Sequence, residues 1–520
     1  MTEEQIDILY MKMLENAVRI VKWLIFQYVL FFAIPFLYDI MPSGMVWLIA
    51  IYTLVFNVYW RNVPKANRLR CIWMPYIVYL LLAVVCCLCI GRFSFWGITL
   101  SPMYGIVCYI LVRKGGIYWK RKSLLARISL VSGIISTIIL LKISNVYWQC
   151  RNQGSFDSEK KEILQRSNYL EGKLLTTPQK VLNEMPAGIG EQFKGEWALY
   201  TCSMYSYALV NISRLYPETK KKNLQTIDSL IQIVLSPELK KYDTERWGGD
   251  ALKSLDSEES HVSYISHLAW MIGGYKSTGG GPKYEELYSS LCEVMNRRLL
   301  HSSTLNLPTY PGEPIYIPDM LVAIVALKQY AQFNDGKYES TVNKWIASAR
   351  EHWCDPHTGL LVSFLNTDGS QIEGAPIKGS YSALNCSYLT MIDESFAREQ
   401  YANLKKHFWS STGFLHGFRE YSNSNPLLAL DIDAGPVIMG LSPSGTAFAT
   451  GAATYFRDDE VRTGILRTAE IAGNTISRTG ERHYALANLA LVGEAVMLAM
   501  RTHMPSSPKD SNGVNDSFRN

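Results

Sequence analysis

Residues 321–353 read LVAIVALKQYAQFNDGKYESTVNKWIASAREHW. Apolar residues recur every three or four positions in residues 321–333 and again in residues 338–353, which is the period of an α-helix. The break between these two segments contains Asn, Asp and Gly, which favour a turn. This stretch therefore predicts two helices joined by a short loop.

The same spacing recurs along most of the chain after residue 180. The further segments are residues 197–215, 224–235, 261–273, 284–300, 382–392, 396–408, 446–456, 460–472 and 485–500. Breaks rich in Gly, Pro and Asp separate them, and strand signals are few. The pattern predicts a mostly α domain over residues 181–504, built of helical hairpins that close into an α/α toroid, an (α/α)6-barrel-like fold. An α-solenoid is the alternative, but no motif repeats at a fixed period.

Long, almost uncharged apolar segments occupy the first 150 of the 520 residues. They are residues 23–38, 45–60, 72–90, 93–112 and 128–148. A helix needs about 20 apolar residues to cross a bilayer, and a cleaved signal peptide would supply one short segment only. We therefore predict a membrane region with about five transmembrane helices over residues 1–150, a linker over 151–180 and a disordered polar tail over 505–520. No ionisable residue interrupts the middle of a segment, which favours an anchor, or a surface that recruits a lipid-borne substrate, over a transporter.

Basic residues cluster after the second and fourth apolar segments. These clusters are Arg61, Lys65, Arg68 and Arg70, and Arg113, Lys114, Lys120, Arg121, Lys122 and Arg127. Loops rich in Lys and Arg stay in the cytoplasm, so the crossings place the N-terminus inside and the residues after Trp148 outside. The sequence thus predicts an integral protein of the inner or plasma membrane, in contact with the lipid bilayer, whose C-terminal domain is extracytoplasmic.

The formal net charge of +5 is small, and its excess lies in the short loops between apolar segments. The C-terminal part has no basic stretch interleaved with aromatic residues, so no nucleic-acid partner is expected. The cysteines contain neither a CxxC motif nor a Cys/His set with zinc-ligand spacing, so no metal site is expected. No feature of the sequence specifies an oligomeric state.

Several breaks between the predicted helices hold clustered polar and aromatic residues. They are residues 246–250 (RWGGD), 310–316 (YPGEPIY), 419–421 (REY) and 431–436 (DIDAGP). The loops at one end of an α/α toroid line a cavity, and loops with ionisable and aromatic side chains are the usual place for a site. We expect the functional site in these loops.

Three collinear stretches carry a family resemblance. They are residues 200–207 (YTCSMYSY), residues 264–270 (YISHLAW) after Arg246-Trp247-Gly248, and a third stretch from residues 316–319 (YIPD) through Trp345, Asp355-Pro356 and Gly359 to residues 396–401 (FAREQY). Together with the acidic segment 431–435 (DIDAG), they resemble the linalool dehydratase/isomerase domain family over roughly residues 180–500. The resemblance implies an α/α barrel that hydrates and dehydrates a small isoprenoid alcohol without a metal or organic cofactor.

That family is thought to use a His, tyrosines, an Asp and a pair of cysteines around the substrate hydroxyl. His267 and Tyr200 match by motif, and the two cysteine positions fall on about Tyr310 and Asp319. The early catalytic Asp has no clear counterpart in residues 184–197. A phenol and a carboxylate in place of two thiols change which protons can move.

We expect His267, Asp319, Tyr200 and Tyr316 to be catalytic and to converge on one cavity. A histidine in the middle of a helix either packs or, with a pKa near neutrality, transfers protons. Asp319 follows a proline at a predicted first helical turn, where a carboxylate either stabilises the helix N-terminus or serves the site.

The expected substrate-binding residues are aromatic or charged. They are Tyr205, Trp247, Tyr310, Tyr381, Arg419, Asp431 and Asp433. The aromatic residues either shape an isoprenoid pocket, stack on a sugar ring or pack in the core. The two aspartates lack the remaining ligand spacing of an EF-hand and are assigned to structural capping or to the cavity edge. Arg419 and Glu420 are either a buried pair or anion-binding groups.

Three functions fit these patterns. The first is a cofactor-independent lyase or isomerase that acts by acid–base chemistry on an isoprenoid or other lipid-like alcohol. The second is a glycan-processing hydrolase, lyase or epimerase, since α/α toroids host such enzymes. The third is a non-catalytic binding module. A closed apolar cavity favours the first, and an open aromatic groove favours the second.

Overall fold

The computed structural model describes residues 156–186, 190–412, 415–424, 426, 428–431 and 434–505. The predicted membrane region, its orientation and the tail after residue 505 lie outside the described residues. Among the helices in these ranges, none is both long enough and apolar enough to cross a bilayer.

The described part of the chain contains fourteen α-helices and eight short strands. The helices are α1 (Phe156–Leu174), α2 (Pro178–Asn183), α3 (Glu191–Leu215), α4 (Lys220–Val234), α5 (Pro237–Trp247), α6 (Val262–Ser277), α7 (Glu285–His301), α8 (Ile317–Phe333), α9 (Glu339–His352), α10 (Gly379–Leu389), α11 (Glu394–Phe408), α12 (Pro443–Tyr455), α13 (Asp459–Gly473) and α14 (Leu491–Arg501). The strands are β1 (Ile315–Tyr316), β2 (Phe364–Leu365), β3 (Trp409–Thr412), β4 (Leu415–Phe418), β5 (Leu428–Asp431), β6 (Gly435–Ile438), β7 (Thr475–Arg478) and β8 (Glu481–Tyr484).

Six of the described helices form a closed inner ring. Each packs on the next in the order α3, α6, α8, α10, α12 and α14, and α14 packs back on α3. The other long helices lie outside, with α4 and α5 against α3 and α6, α7 against α6 and α8, and α9 against α8. On the remaining sides, α11 packs on α10, α13 on α12, and α1 on α14 and α3. This alternation of inner and outer helices confirms the predicted α/α toroid.

The sequence of each helix explains its layer. Every residue of α8 from Ile317 to Leu327 is buried, as expected for a helix that is apolar on all sides. Its partner α9 buries only one stripe, at helical spacing. The buried residues of α9 are Thr341, Val342, Trp345, Ile346 and Ala349.

The strands form antiparallel pairs outside the ring: β1 with β2, β3 with β4, β5 with β6, and β7 with β8. In the β3–β4 pair, Trp409 lies opposite Phe418. No strand is longer than four residues among those described, so none is long enough to show a clear alternation of apolar and polar residues. This explains why strand signals are few in the sequence.

Residues 151–180 were predicted to be a linker, but the structure shows α1 as a packed element of the toroid. Arg166 of α1 is fully buried and donates hydrogen bonds to Glu162 at 3.0 Å, Glu470 at 2.8 Å and Glu494 at 2.7 Å. Its guanidinium also lies 3.8 Å from the ring centroid of Tyr484.

A second set of buried ion pairs extends this cluster. Arg462 of α13 donates to both carboxylate oxygens of Glu159, at 2.7 and 2.9 Å. Arg501 of α14 donates to Glu159 at 2.7 Å and to Glu162 at 2.8 Å. These charges join the first described helix to the last two. The buried face of α1 combines Ile163, Leu170 and Leu174 with the charged Glu159 and Arg166. The charged residues interrupt its apolar pattern, which is why α1 resembled a linker.

Candidate functional site

The N-terminal halves of the inner helices α3, α6, α8 and α10 bring together most of the predicted site residues. The ring of Tyr200 on α3 lies against His267 on α6, with 4.5 Å between ring centroids. Tyr200 retains partial solvent access, whereas His267 is fully buried behind it. The structure therefore brings the two motif residues into contact, with the tyrosine on the accessible side.

Hydrogen bonds define the orientation of His267. Its Nδ1 lies 2.8 Å from Ser203 Oγ, and the Ser203 hydroxyl donates to the carbonyl of Tyr200 at 3.2 Å. These contacts fix the position of the ring, and the tautomer depends on which of the two acceptors receives the single serine proton. Nε2 is buried and has no hydrogen-bond partner among the described residues.

The expectation that His267 has a pKa near neutrality was wrong. Burial lowers the pKa of its imidazole to about 3. No charged group is near enough to offset this effect, so the ring is neutral at pH 7. A neutral His267 can orient Tyr200 and accept a hydrogen bond, but it is a poor proton donor.

Asp319 lies in the first turn of α8, where the sequence predicted it. It is 9 % exposed, and its Oδ2 accepts a hydrogen bond from Thr309 Oγ1 at 2.8 Å. Burial raises its pKa to about 6, and the negative charge of Glu313 adds to this while the Thr309 hydroxyl opposes it. The carboxyl group can therefore gain or lose a proton close to neutral pH.

Glu196, which the sequence did not single out, is the second carboxyl group of the site. It precedes Tyr200 by four residues on α3, so the two side chains share one face of the helix. Burial raises the pKa of Glu196 to about 7, and the nearby charge of Asp319 adds to the effect. Its spacing from the Tyr200 motif is the signal that could have identified it.

Tyr310 lies beside Glu196, and its ring packs against the guanidinium of Arg246. The guanidinium of Arg246 lies 4.2 Å from the centroid of the Tyr310 ring, and Arg246 Nη1 donates to Glu313 Oε1 at 2.7 Å. The Tyr310 hydroxyl and Arg246 both lower the pKa of Glu196, but less than burial raises it. The buried Tyr310 hydroxyl has no hydrogen-bond partner of good geometry among the described residues.

Tyr200 is a hydroxyl donor at neutral pH. Burial and the charge of Asp319 raise its pKa well above the ordinary value, and Glu196 adds to the effect. The neighbouring Tyr388 hydroxyl of α10 opposes it. Tyr388 is fully buried, and its hydroxyl has no partner that meets hydrogen-bond geometry in the described residues.

Tyr316 and Tyr381 lie at the same end of the helical ring as Tyr200 and are linked through Phe364 by aromatic contacts. Tyr316 packs edge-on against Phe364 at 4.8 Å, and Phe364 packs edge-on against Tyr381 at 5.1 Å. Tyr381 is near enough to Tyr200 to raise its pKa. All three rings of this row are partly exposed.

Trp247 lies at the end of α5 beside a second buried pair. Its ring is 5.1 Å from that of His261, and His261 Nδ1 lies 2.6 Å from Asp243 Oδ2. His261 has φ of 47° at the start of α6, a left-handed conformation that few residues other than Gly adopt. Trp247 is partly exposed, and its Nε1 has no partner among the described residues.

Tyr205 does not face the site. It is fully buried on the opposite side of α3, where its hydroxyl donates to the carbonyl of Ser167 on α1 at 2.8 Å. The structure assigns it to packing between these two helices.

Arg419, Glu420 and Asp431 have structural partners. Arg419 donates to the carbonyl of His407 near the end of α11 at 2.7 Å. Glu420 accepts from Ser380 Oγ at 2.8 Å at the start of α10. The two residues are therefore not an ion pair with each other.

Asp431 accepts hydrogen bonds from Lys378 at 3.0 Å, from Tyr421 at 3.1 Å and from the backbone of Ala434 at 3.0 Å. These bonds hold the β5–β6 turn, as a capping role predicts. Asp433 lies outside the described residues. Within the ranges that the structure describes, no group of three or more His, Cys, Asp or Glu side chains has the arrangement of a metal site.

This geometry can carry out acid–base chemistry. Two carboxyl groups with pKa values near neutrality lie beside a protonated tyrosine, and a neutral histidine backs that tyrosine. Catalytic acids and bases need pKa values of this kind, and buried carboxyl pairs are one way to obtain them.

No family model matches the chain. No curated protein matches it. Among solved structures, the chain is similar to one described as a glycoside hydrolase from family 105 of C. acetobutylicum ATCC 824, with 13 % sequence identity and a TM-score of 0.39. The match covers 58 % of this chain and 92 % of that one.

Proposed function

We propose that the chain is a cofactor-independent lyase or isomerase, similar to linalool dehydratase/isomerase, that acts on an isoprenoid or other lipid-like alcohol. The observation that carries this proposal is the pair of buried carboxyl groups beside Tyr200, Glu196 and Asp319. Their pKa values are raised to about 7 and about 6, so that between these values the pair holds about one proton, on Glu196. Removal of water from an alcohol needs one acid and one base, which such a pair supplies.

The pKa values suggest the role of each carboxyl group. Glu196 has the higher pKa and donates its proton to the substrate hydroxyl. The C–O bond then breaks, and its electron pair leaves with the oxygen as water. Asp319 takes a proton from the neighbouring carbon, and the C–H electrons form the new C=C bond. Proton exchange from Asp319 to Glu196 through water restores the starting state.

Tyr200 and His267 assist this chemistry without changing charge. Tyr200 stays protonated at neutral pH and can donate a hydrogen bond to the departing oxygen. His267 holds the tyrosine ring from behind, and Ser203 holds His267. His267 is thus a positioning residue in this mechanism and not a proton donor.

The predicted membrane region fits such a substrate. We propose that residues 1–150 anchor the protein in the inner or plasma membrane, with the toroid on the outer side. Five apolar segments and two basic loops support this proposal. A lipid-borne alcohol would then reach the site from the membrane.

A glycan-processing enzyme is the second candidate, because of one specific observation. The row formed by Tyr316, Phe364 and Tyr381 is partly exposed at the same end of the ring as the two carboxyl groups. Aromatic faces of this kind can stack on sugar rings, and paired carboxyl groups also cleave glycosidic bonds.

The test is turnover by the purified full-length chain with two substrate panels, isoprenoid alcohols and oligosaccharides, followed by mass spectrometry. We expect loss of water from an alcohol, reduced by a factor of about 10² or more in Glu196→Gln and in Asp319→Asn, because general acid–base catalysis contributes about 10² to 10⁴. Glu238→Gln, at an exposed position of α5, is the matched control and should keep full activity. Cleavage of oligosaccharides instead would establish the second candidate, and full activity of both site variants would refute both.

A further inference from the structure

The most exposed large apolar side chains of the described residues lie in two short segments. The first segment is the β5–β6 hairpin with the turn after it, where Leu430 is 86 % exposed and Leu428 is 68 % exposed. The second is the 3-10 helix Ala485–Asn488 with residues 489–490, where Leu489 is 70 % exposed. Single exposed apolar residues are normal, whereas a cluster of them marks an interaction surface.

The strand register places the exposed residues of the hairpin on one face. Leu428 lies opposite Ile438, and Leu430 lies opposite Pro436, so these four side chains project from the same side. All four residues are exposed. On the other face, Val437 is fully buried against the domain. The hairpin therefore turns an apolar face towards the solvent.

Both segments lie at the end of the toroid that holds the candidate catalytic site. Asp431 of the hairpin accepts a hydrogen bond from Lys378 at the start of α10, the helix that carries Tyr381. At the opposite end, His503 after α14 lies 2.6 Å from Thr390 after α10. The 3-10 helix precedes α14 and is thus at the site end. Since the hairpin precedes α12, and α12 packs on α14 at about 8–10 Å, the two segments are neighbours.

The side chains of this surface are aliphatic. We call it the aliphatic rim, and its residues are Leu428, Leu430, Pro436, Ile438, Met439, Leu486 and Leu489. Protein interfaces obtain most of their binding energy from Trp, Tyr and Arg, and Leu is under-represented at those positions. Leu and Ile favour transfer into hydrocarbon. The composition of the rim therefore fits a lipid bilayer better than a protein partner.

Two exposed cations lie beside the aliphatic rim. Lys406 is near the end of α11, where the carbonyl of His407 accepts a hydrogen bond from Arg419, and Arg419 pairs with Leu441 just after the hairpin. Arg478 is at the end of β7, and β8 leads directly into the 3-10 helix. Neither cationic side chain has a hydrogen-bond or ion-pair partner among the described residues. Such cations attract the anionic headgroups of a bilayer.

We propose that the aliphatic rim inserts into the surface of a lipid bilayer and holds the site end of the toroid against it. The aliphatic side chains enter the boundary between headgroups and acyl chains, and Lys406 and Arg478 contact anionic headgroups. This inference rests on the proposed membrane location of the chain. It does not rest on the proposed chemistry, because no proposed catalytic side chain belongs to the rim.

Lipid photolabelling of the full-length chain tests the insertion. The chain is reconstituted in vesicles of phosphatidylethanolamine and phosphatidylglycerol that contain a lipid with a photoreactive diazirine in the upper part of its acyl chain. Mass spectrometry then locates the lipid adducts. We expect adducts on the hairpin and on residues 485–490, and none on Phe333, an exposed apolar residue at the end of α8 and hence at the opposite end of the toroid.

Charged substitutions on the rim provide the matched comparison. Leu430→Glu combined with Leu489→Glu should lower the labelling of both segments about tenfold or more, because a carboxylate is strongly disfavoured in hydrocarbon. Phe333→Glu is the control and should leave the labelling of both segments unchanged. Thermal unfolding of these variants should match that of the wild type, since all three positions are exposed.

Flotation of the same vesicles distinguishes failure of the rim from failure of the anchor. A chain that floats with the vesicles while both segments stay unlabelled would overturn the insertion and leave the proposed anchor standing, whereas a chain that does not float would contradict both. Adducts on Phe333 in place of the rim would show that the opposite end meets the bilayer. Unlabelled segments in a dimeric chain that the double Glu variant makes monomeric would assign the rim to a second copy. Either of these results would also overturn the proposal.

Discussion

Replacement of Glu196 by Gln should stabilise the fold in a pH-dependent manner. The pKa of Glu196 is raised from its ordinary 4.5 to about 7, because burial and the charge of Asp319 penalise the ionised form. At about 1.36 kcal/mol per pKa unit, ionisation of Glu196 at pH 8 costs the folded state on the order of 3 kcal/mol. Gln has the same shape and carries no charge, so the variant avoids this cost.

The sign of the pH dependence follows from the direction of this shift. A raised carboxyl pKa means that the folded state binds the proton more tightly than the unfolded state does. The wild-type protein therefore loses stability as the pH rises from about 4.5 through about 7. We expect Glu196→Gln to gain on the order of 3 kcal/mol at pH 8 and much less at pH 5.

Urea unfolding followed by pulse proteolysis of the full-length chain measures this difference. Glu238→Gln, on the exposed surface, should stay within about 0.5 kcal/mol of the wild type at both pH values. A Glu196→Gln variant that is less stable than the wild type at pH 8, or whose effect is the same at both pH values, would refute the electrostatic account of this site.

Three other predictions follow from the fold and the sequence. Arg166→Met should lower the free energy of unfolding by about 3–5 kcal/mol, because it leaves the buried carboxylates of α1, α13 and α14 without their central cation. Thermal unfolding measures this loss, with Lys241→Met, at an exposed position, as the control. Residues 155–505 expressed alone should give a cooperative, strongly helical circular dichroism spectrum, since the closed ring supplies its own core, and a molten or mostly β spectrum would contradict this. An engineered cysteine at Ser155 should react with an impermeant thiol reagent in intact cells, whereas labelling only after permeabilisation would place the toroid in the cytoplasm.

The helices of the toroid could be predicted from the sequence because their apolar spacing is local. The hairpin of residues 321–353 is observed as α8 and α9, with α8 beginning four residues earlier than its apolar pattern. Pro318 explains this early start. Proline is favoured in the first turn of a helix, and this first turn lies before the residues in which the apolar spacing is recognisable. The closure of the ring was inferred from the number of helices and from the family resemblance, and not from any local pattern.

The missed elements are those that depend on long-range partners. Arg166 makes α1 a core helix through carboxylates more than 300 positions away in the sequence, and no local pattern records such pairs. The spacing of Glu196 from Tyr200 is local, but its raised pKa depends on burial and on Asp319 of another helix. The pKa of His267 also depends on tertiary burial, which a mid-helix position did not reveal.

The central claim is that Glu196 and Asp319 together hold about one proton near neutral pH, and difference infrared spectroscopy tests it without knowledge of the substrate. The C=O stretch of protonated carboxyl groups should be present in the full-length protein at pH 6, with one component that titrates away near pH 7 and another that titrates away near pH 6. Glu196→Gln should remove the component near pH 7, Asp319→Asn should remove the component near pH 6, and Glu238→Gln should leave both unchanged. A spectrum without a protonated carboxyl band above pH 5, or a component near pH 7 that persists in Glu196→Gln, would contradict the account.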